Sequence, residues 1–310
     1  MKKYIKIARP DHWIKNFFIL PGTAVAILLT DAGLTDVNIL TLIIGFFSTC
    51  FVASANYVIN EWLDAPYDQY HPTKKNRPVV TENVKFKWVL VEYVILAILG
   101  FILAIIVNKW FLYTSIILLV MGFFYNVKPF RTKDVPYFDV ISESVNNMLR
   151  LLMGWFIVTD SSIPPSSILI GYWMAGAFLM ATKRFAEYRM INNPETAGLY
   201  RRSFRYYTEK NLLASALFYA LISTFCLGVF MIKYRIEYLL AMPVMFFLFA
   251  YYLSMGLDKD SAVQKPEKLY REKKLMFIVV LLIVILLICS FVNIDFLHIL
   301  TSNALIKLEV

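Results

Sequence analysis

The chain has 310 residues, 59% of them hydrophobic and only 17% charged, with a net charge of +9 and a mean hydropathy of +0.61. A soluble domain carries about a quarter charged residues and less apolar content, which excludes that class here. The apolar residues fall into blocks of roughly 16–24 separated by charged loops, the lengths that a hydrocarbon layer about 30 Å thick asks of a helix.

The expected fold is therefore all-α: a polytopic membrane protein forming one integral membrane domain over residues 1–310. Nine spans are predicted, over 16–34, 38–59, 88–107, 110–126, 138–158, 166–182, 211–232, 237–256 and 275–293. The stretch from Met1 to Pro10 is basic but leads into a longer apolar segment with no small-residue cleavage site, so no cleavable signal peptide is expected. Cys50, Cys226 and Cys289 all lie inside apolar blocks, an odd set that argues against a disulfide framework and lacks the spacing of a zinc site.

The charges orient these spans. Of the 31 Lys and Arg residues, 26 fall in the N-terminus and in the loops after spans two, four, six and eight. The positive-inside rule then places the N-terminus and those loops in the cytoplasm of a cytoplasmic (inner) membrane, and nine spans put the C-terminus outside. The same asymmetry accounts for the net charge without a nucleic-acid partner.

At the start of span one, Lys15 and Asn16 face the cytoplasmic mouth. Span two closes on Asn60-Glu61-Trp62-Leu63-Asp64-Ala65-Pro66-Tyr67-Asp68. Positions four apart advance about 40° and 6 Å on a helix, so Asn60, Asp64 and Asp68 share a face and Glu61 flanks it. Oxygen ligands converging from one face suit Mg²⁺, which uses a few carboxylates and then the phosphates of its substrate. A solvated acidic helix end is the competing reading, but acids are disfavoured at a helix C-terminus. Pro66 disrupts the preceding turn, so Asp68 is expected to reach the site from an unwound segment. Lys74 and Arg77 follow closely enough to meet the same phosphates, arginine bidentately and lysine as a point charge. His71 reads as a loop or phosphate contact.

Span four ends before Lys128, Arg131, Lys133 and Asp134. Span five then carries Asp139, Glu143, Asn146, Asn147 and Arg150, a polar stripe at helical spacing inside the membrane. Ionisable groups there are costly and face a cavity or the bundle interior. A substrate cavity is the expected use; a structural Glu143–Arg150 ion pair is the alternative. Lys183 and Arg184 follow span six, with Arg201, Arg202 and Arg205 later in that loop.

At these residues the chain resembles the UbiA superfamily of intramembrane prenyltransferases, whose NDxxDxxxD pattern is matched by Asn60, Glu61, Asp64 and Asp68, with Glu61 in place of Asp. Asp134 and Asp139 fit the second family motif more loosely. The runs at 9–16, 71–78, 183–187 and 203–208 resemble the decaprenyl-phosphate phosphoribosyltransferase branch. The resemblance implies a nine-helix fold, Mg²⁺ as cofactor, and transfer of a 5-phosphoribosyl group from phosphoribosyl diphosphate to a polyprenyl phosphate with release of diphosphate. It implies catalytic roles for Asp64, Asp68 and Asp139, metal contacts from Asn60, Glu61, Asp64, Asp68 and Asp134, and phosphate contacts from Lys15, Lys74, Arg77, Lys128, Arg131, Lys133, Lys183 and Arg184.

The partners implied are a polyprenyl lipid, a soluble phosphorylated donor and the bilayer; the oligomeric state stays open. The rival enzyme reading is prenyl transfer from a polyprenyl diphosphate to an aromatic or other small acceptor. It needs an aromatic-lined pocket to stabilise a carbocation. The non-enzyme alternative, a transporter or lipid-binding membrane protein, leads one to expect paired repeats, whereas the polar residues here gather at one face.

Overall fold

Apolar blocks of this length can span a bilayer only with every backbone polar group bonded within the segment, and helices do that. The computed structural model describes residues 2–30, 38–258 and 261–300, and among them there are helices and turns but no strand. Residues 31–34 of the first predicted span, Lys259 and residues 301–310 lie outside the described residues. Among the described residues, nine α-helices have ten or more residues. They are α1 (Leu20–Leu29), α2 (Ile39–Asp68), α3 (Phe86–Val107), α4 (Lys109–Asn126), α5 (Phe138–Val158), α6 (Ser166–Ile191), α7 (Glu209–Tyr234), α8 (Met242–Leu257) and α9 (Lys273–Phe291). A 3-10 helix, Pro10–Ile19, leads into α1.

Seven stretches among the described residues are long and apolar enough to cross a membrane: Lys2–Leu29, Ile39–Asp68, Phe86–Val107, Lys109–Asn126, Glu209–Tyr234, Ile236–Leu257 and Lys273–Phe291. The two that fall short of the expected nine are α5 and α6, which carry the polar stripe and the Lys183–Arg184–Glu187 group. Both pack in the centre, α5 against α1, α4 and α6, and α6 also against α7. Outer faces expose large apolar side chains, such as Ile105 and Ile106 on α3, Phe225 on α7 and Phe277 on α9.

Inside, small residues let backbones approach. A Cβ on Gly154 would lie 1.9 Å from the Ile19 carbonyl oxygen, and one on Gly22 1.9 Å from that of Leu151, so α1 and α5 touch backbone to backbone. Serine hydroxyls bridge the other tight pairs, Ser48 to the Gly100 carbonyl at 2.7 Å and Ser223 to that of Gly171 at 2.8 Å, as expected where lipid provides no hydrophobic drive between helices.

Two helices overrun their predicted ends. Helix α2 stays helical through Pro66 to Asp68, so Asp68 is on the helix rather than on an unwound segment. Proline removes one hydrogen bond, and in the last turn that loss is small. Helix α6 continues nine residues past 182 because Phe185 and Ala186 are buried, and it stops at Asn192, left-handed at φ 50°, just before Pro194.

Candidate active site

The C-terminal ends of α2, α4 and α6 meet the start of α5 and the segment 200–207, and the polar residues collect there. On α2, the spacing of four gives the expected common face: Asn60 Nδ2 donates to Asp64 Oδ2 at 3.2 Å. The other oxygen of Asp64 receives Arg131 at 3.0 Å and Lys133 at 2.5 Å. Asn126, at the end of α4, ties the group together by accepting from Lys133 at 2.7 Å and from Asn60. One turn on, Asp68 is 2% exposed and paired with Arg77. Asp64, Asp68, Arg131, Lys133, Asp134, Tyr200 and Arg201 line one small pocket.

Further charged side chains lie beside it. Lys74 donates to Glu187 at 2.8 Å and to the Tyr200 hydroxyl. Glu187 also holds Arg184 at 3.0 Å, and Arg184 and Arg201 both donate to Tyr125, at 3.0 and 3.3 Å. Burial pushes the Lys74 ammonium down to about 8, with Glu187 opposing, and burial does the same to Lys133 against Asp64. His71 is pushed down to about 3 by burial and by Lys74, so its ring is neutral. Its Nδ1 accepts from the Thr73 and Lys74 amides at 3.2 Å each, which puts the proton on Nε2. That Nε2 is buried without a partner among the described residues.

Several predicted residues sit elsewhere. Glu61 points away from Asp64 and takes Arg9 in a two-pronged contact at 2.9 and 2.7 Å, because a step of one residue on a helix turns the side chain about 100°. Asp139 is fully buried and does not line the pocket: Tyr207 donates to it at 2.6 Å, Ser203 at 3.1 Å, and Arg184 lies 3.4 Å away. Asp134 does line the pocket, but is held by Arg131 at 3.1 Å. Lys128 is exposed and outside the cluster.

The α5 stripe faces a different space. Arg150 donates to Asn16 at 3.0 Å, to the Asn146 carbonyl at 3.1 Å and to Asn147 at 3.5 Å, and no Glu143–Arg150 ion pair occurs among the described residues. Asn147 packs against Gly176 of α6. Lys15 lies between His12 and Glu267, and Lys183 has no hydrogen-bond or ion-pair partner among the described residues. Tyr200, Tyr125 and Asn126 were not predicted as site residues. Their one sequence signal is proximity to the motif segments.

Among the described residues, no three His, Cys, Asp or Glu side chains converge as a metal cage. Three carboxylates, Asp64, Asp68 and Asp134, do line one pocket, with Asn60 on the same helix face as the first two, and this oxygen-only set fits a hard cation that completes its shell with phosphates.

The model of the UbiA prenyltransferase family matches residues 19–281. The chain belongs to that family. The chain is similar to the nodulation protein NoeC of Azorhizobium caulinodans, 27% identical over 65% of this chain and 62% of that one. The decaprenyl-phosphate phosphoribosyltransferase of Corynebacterium glutamicum is 28% identical over 67% and 60%. A 4-hydroxybenzoate octaprenyltransferase of Shewanella loihica is 28% identical over 34% and 36%. The chain thus spans about three fifths of the length of the first two relatives. A UbiA homolog from Archaeoglobus fulgidus, solved bound to GPP and Mg²⁺, shares the fold with a TM-score of 0.68 at 20% identity, over 94% of this chain and 100% of that one. The protein is accordingly an all-α, integral membrane member of the UbiA family.

Proposed function

We propose that this chain is a Mg²⁺-dependent transferase that moves the 5-phosphoribosyl group of phosphoribosyl diphosphate to a polyprenyl phosphate and releases diphosphate. The observation carrying the reading is that Asp64 and Asp68 line one pocket while each is already neutralised by basic side chains, Lys133 and Arg131 on one and Arg77 on the other. A cation–diphosphate pair supplies both signs at once. With Mg²⁺ bound, Asp64 and Asp68 would hold the cation, and Lys133, Arg131 and Arg77 would be left for phosphate oxygens.

Asp64 and Asp68, with Asn60, would hold Mg²⁺, which would supply charge neutralisation for the departing diphosphate. Lys74, Arg77, Lys133 and Arg201 bind phosphate oxygens, and His71 Nε2–H is one more donor in the same cluster. An oxygen of the acceptor phosphate bonds to ribose C1 as the C1–diphosphate bond breaks and its electron pair leaves with the diphosphate. Asp139 is a positioning residue here: it orients Arg184 and Arg201 from behind. We place the pocket on the cytoplasmic side of the cytoplasmic membrane, where a soluble donor is at hand.

The second reading is prenyl transfer from a prenyl diphosphate to an aromatic acceptor, supported by the similarity to an octaprenyltransferase over a third of the chain. It uses the same carboxylates. Purified protein with Mg²⁺ is given labelled phosphoribosyl diphosphate plus decaprenyl phosphate, or a prenyl diphosphate plus 4-hydroxybenzoate. Labelled lipid is expected from the first pair; product from the second pair alone sinks the preferred reading.

A further inference from the structure

A groove of about 590 Å³ runs between α8 and α9 and shares no lining residue with the Asp64–Asp68 pocket. Val244, Phe247 and Tyr251 of α8 form one wall, the two rings stacked at 6.2 Å, and Phe277 of α9 stands on the other. Phe247 and Phe277 are exposed, so the groove opens toward the bilayer. The two helices run antiparallel here. Leu275 clusters with Tyr252 and Met255, whereas Leu282 and Ile285 cluster with Met242 and Met245. Along α9 the groove extends from Lys273 to Leu281, about 12 Å at the rise of a helix.

One end of this apolar groove is charged. Lys273 and Lys274 open α9, are exposed, and have no hydrogen-bond or ion-pair partner among the described residues. The neighbouring acids do not neutralise them: Glu267 lies 3.7 Å from Lys15, and Glu272 pairs with neither lysine and makes no side-chain cap on α9. Cations are disfavoured at a helix N-terminus, so the lysines do not serve the helix itself. Apolar walls closed at one end by two ammonium groups complement an anionic phospholipid, an acyl chain on the walls and a phosphate at headgroup level. A second copy of the chain, docked through the same face, would set lysines against lysines. The phosphate of a reacting acceptor lipid must reach the Asp64–Asp68 pocket, to which this groove contributes no residue. Among the seven apolar spans, α9 is also the least buried in protein, at 17%. A lipid chain in the groove adds contact where the bundle holds its helix least.

We infer that the α8–α9 groove binds an anionic phospholipid of the bilayer, with an acyl chain against Phe247 and Phe277 and the phosphate on Lys273 and Lys274, and that this lipid fastens α9 to the bundle. Such a lipid serves phosphoribosyl or prenyl transfer alike, because it touches no residue of the Asp64–Asp68 pocket.

The test is native mass spectrometry and thermal melting of the full-length protein in neutral detergent, titrated with dioleoyl phosphatidylglycerol or dioleoyl phosphatidylcholine. The chains are the same and only the first headgroup is anionic. Phosphatidylglycerol is expected to bind about 25-fold more tightly, about fivefold for each lysine near an anionic headgroup, and to raise the melting temperature further. Lys273→Gln with Lys274→Gln should abolish that preference. Lys85→Gln with Lys87→Gln, at the equally exposed start of α3, should leave it intact. Val244→Trp, which fills the groove, should weaken both lipids, and its melting curve without lipid reports that it is folded. Equal loss in the two double variants would mean diffuse attraction to basic helix ends and overturns the inference. Phosphatidylglycerol binding unchanged in Val244→Trp does the same. So does its displacement by farnesyl phosphate at far lower concentration, which would give the groove to the acceptor lipid.

Discussion

Asp64 accepts from Lys133 and Arg131 on one oxygen and from Asn60 on the other, so a change there is felt first by charge. Asp64→Asn is expected to lower transfer about 100-fold or more while the protein stays folded, since removing a metal contact costs at least what outer contacts do. Transfer assays beside a melting curve check this, and retained turnover refutes the assignment. Glu61 gives the contrasting case. Because it is 2% exposed and paired with a mostly buried Arg9, Glu61→Ala strands a guanidinium and is expected to cost about 3 kcal/mol of stability. Mg²⁺–diphosphate affinity should not change; a collapse of that affinity would restore Glu61 to the metal site.

Lys74 adds a pH dependence whose sign can be worked out. Its folded value, about 8, lies below the ordinary 10.5, because burial penalises the ammonium more than Glu187 favours it. The buried charge therefore costs stability below pH 8, and that cost is relieved as pH rises from about 8 towards 10.5. Donor binding moves the other way: the apparent KM for the donor should climb above pH 8 as Lys74 loses its proton. Lys133 loses its proton in the same range, so Lys74→Arg should reduce the slope of that limb without abolishing it, and a slope identical to that of the unaltered protein would remove Lys74 from the phosphate contacts.

At the scale of elements, the contact of α1 with α5 is set by glycine. Gly154→Ala drives a Cβ into the Ile19 carbonyl at 1.9 Å and is expected to destabilise by about 1–3 kcal/mol, read as a lower melting temperature in detergent. Gly228→Ala is the control, for its Cβ would meet only Met242 Cε at 3.7 Å, an ordinary contact. A tolerated Gly154→Ala would show that the two backbones are not pressed together. The α2 motif was legible from sequence because a spacing of four maps directly onto one helix face. The ends of α2 and α6 were not. Polar residues at a span end read as loop, and only the burial of Phe185 and Ala186 keeps α6 helical past 182.

For the whole molecule, the basic loops gather where the ends of α2, α4 and α6 converge, which is what the charge asymmetry led one to expect. The orientation we propose predicts that a cysteine at exposed Lys75 reacts with an impermeant thiol reagent from the cytoplasmic side only, and one at exposed Ser161 from the outside only. Both sites reacting from one side would contradict it. The three native cysteines lie within helices and are replaced first.

The sequence by itself determined the membrane-embedded helical class and the common face of Asn60, Asp64 and Asp68, because hydropathy and helical period are local properties of the chain. It also marked the basic segments near those carboxylates. Tertiary structure decided which charges meet. Glu61 went to Arg9, Asp139 to Ser203, Tyr207 and Arg184, and Lys128 to the surface, while Tyr200 and Arg201 came in from a distant loop. Pairing of ionisable groups is a long-range outcome in a low-dielectric interior, where each buried charge must find a partner wherever the fold presents one.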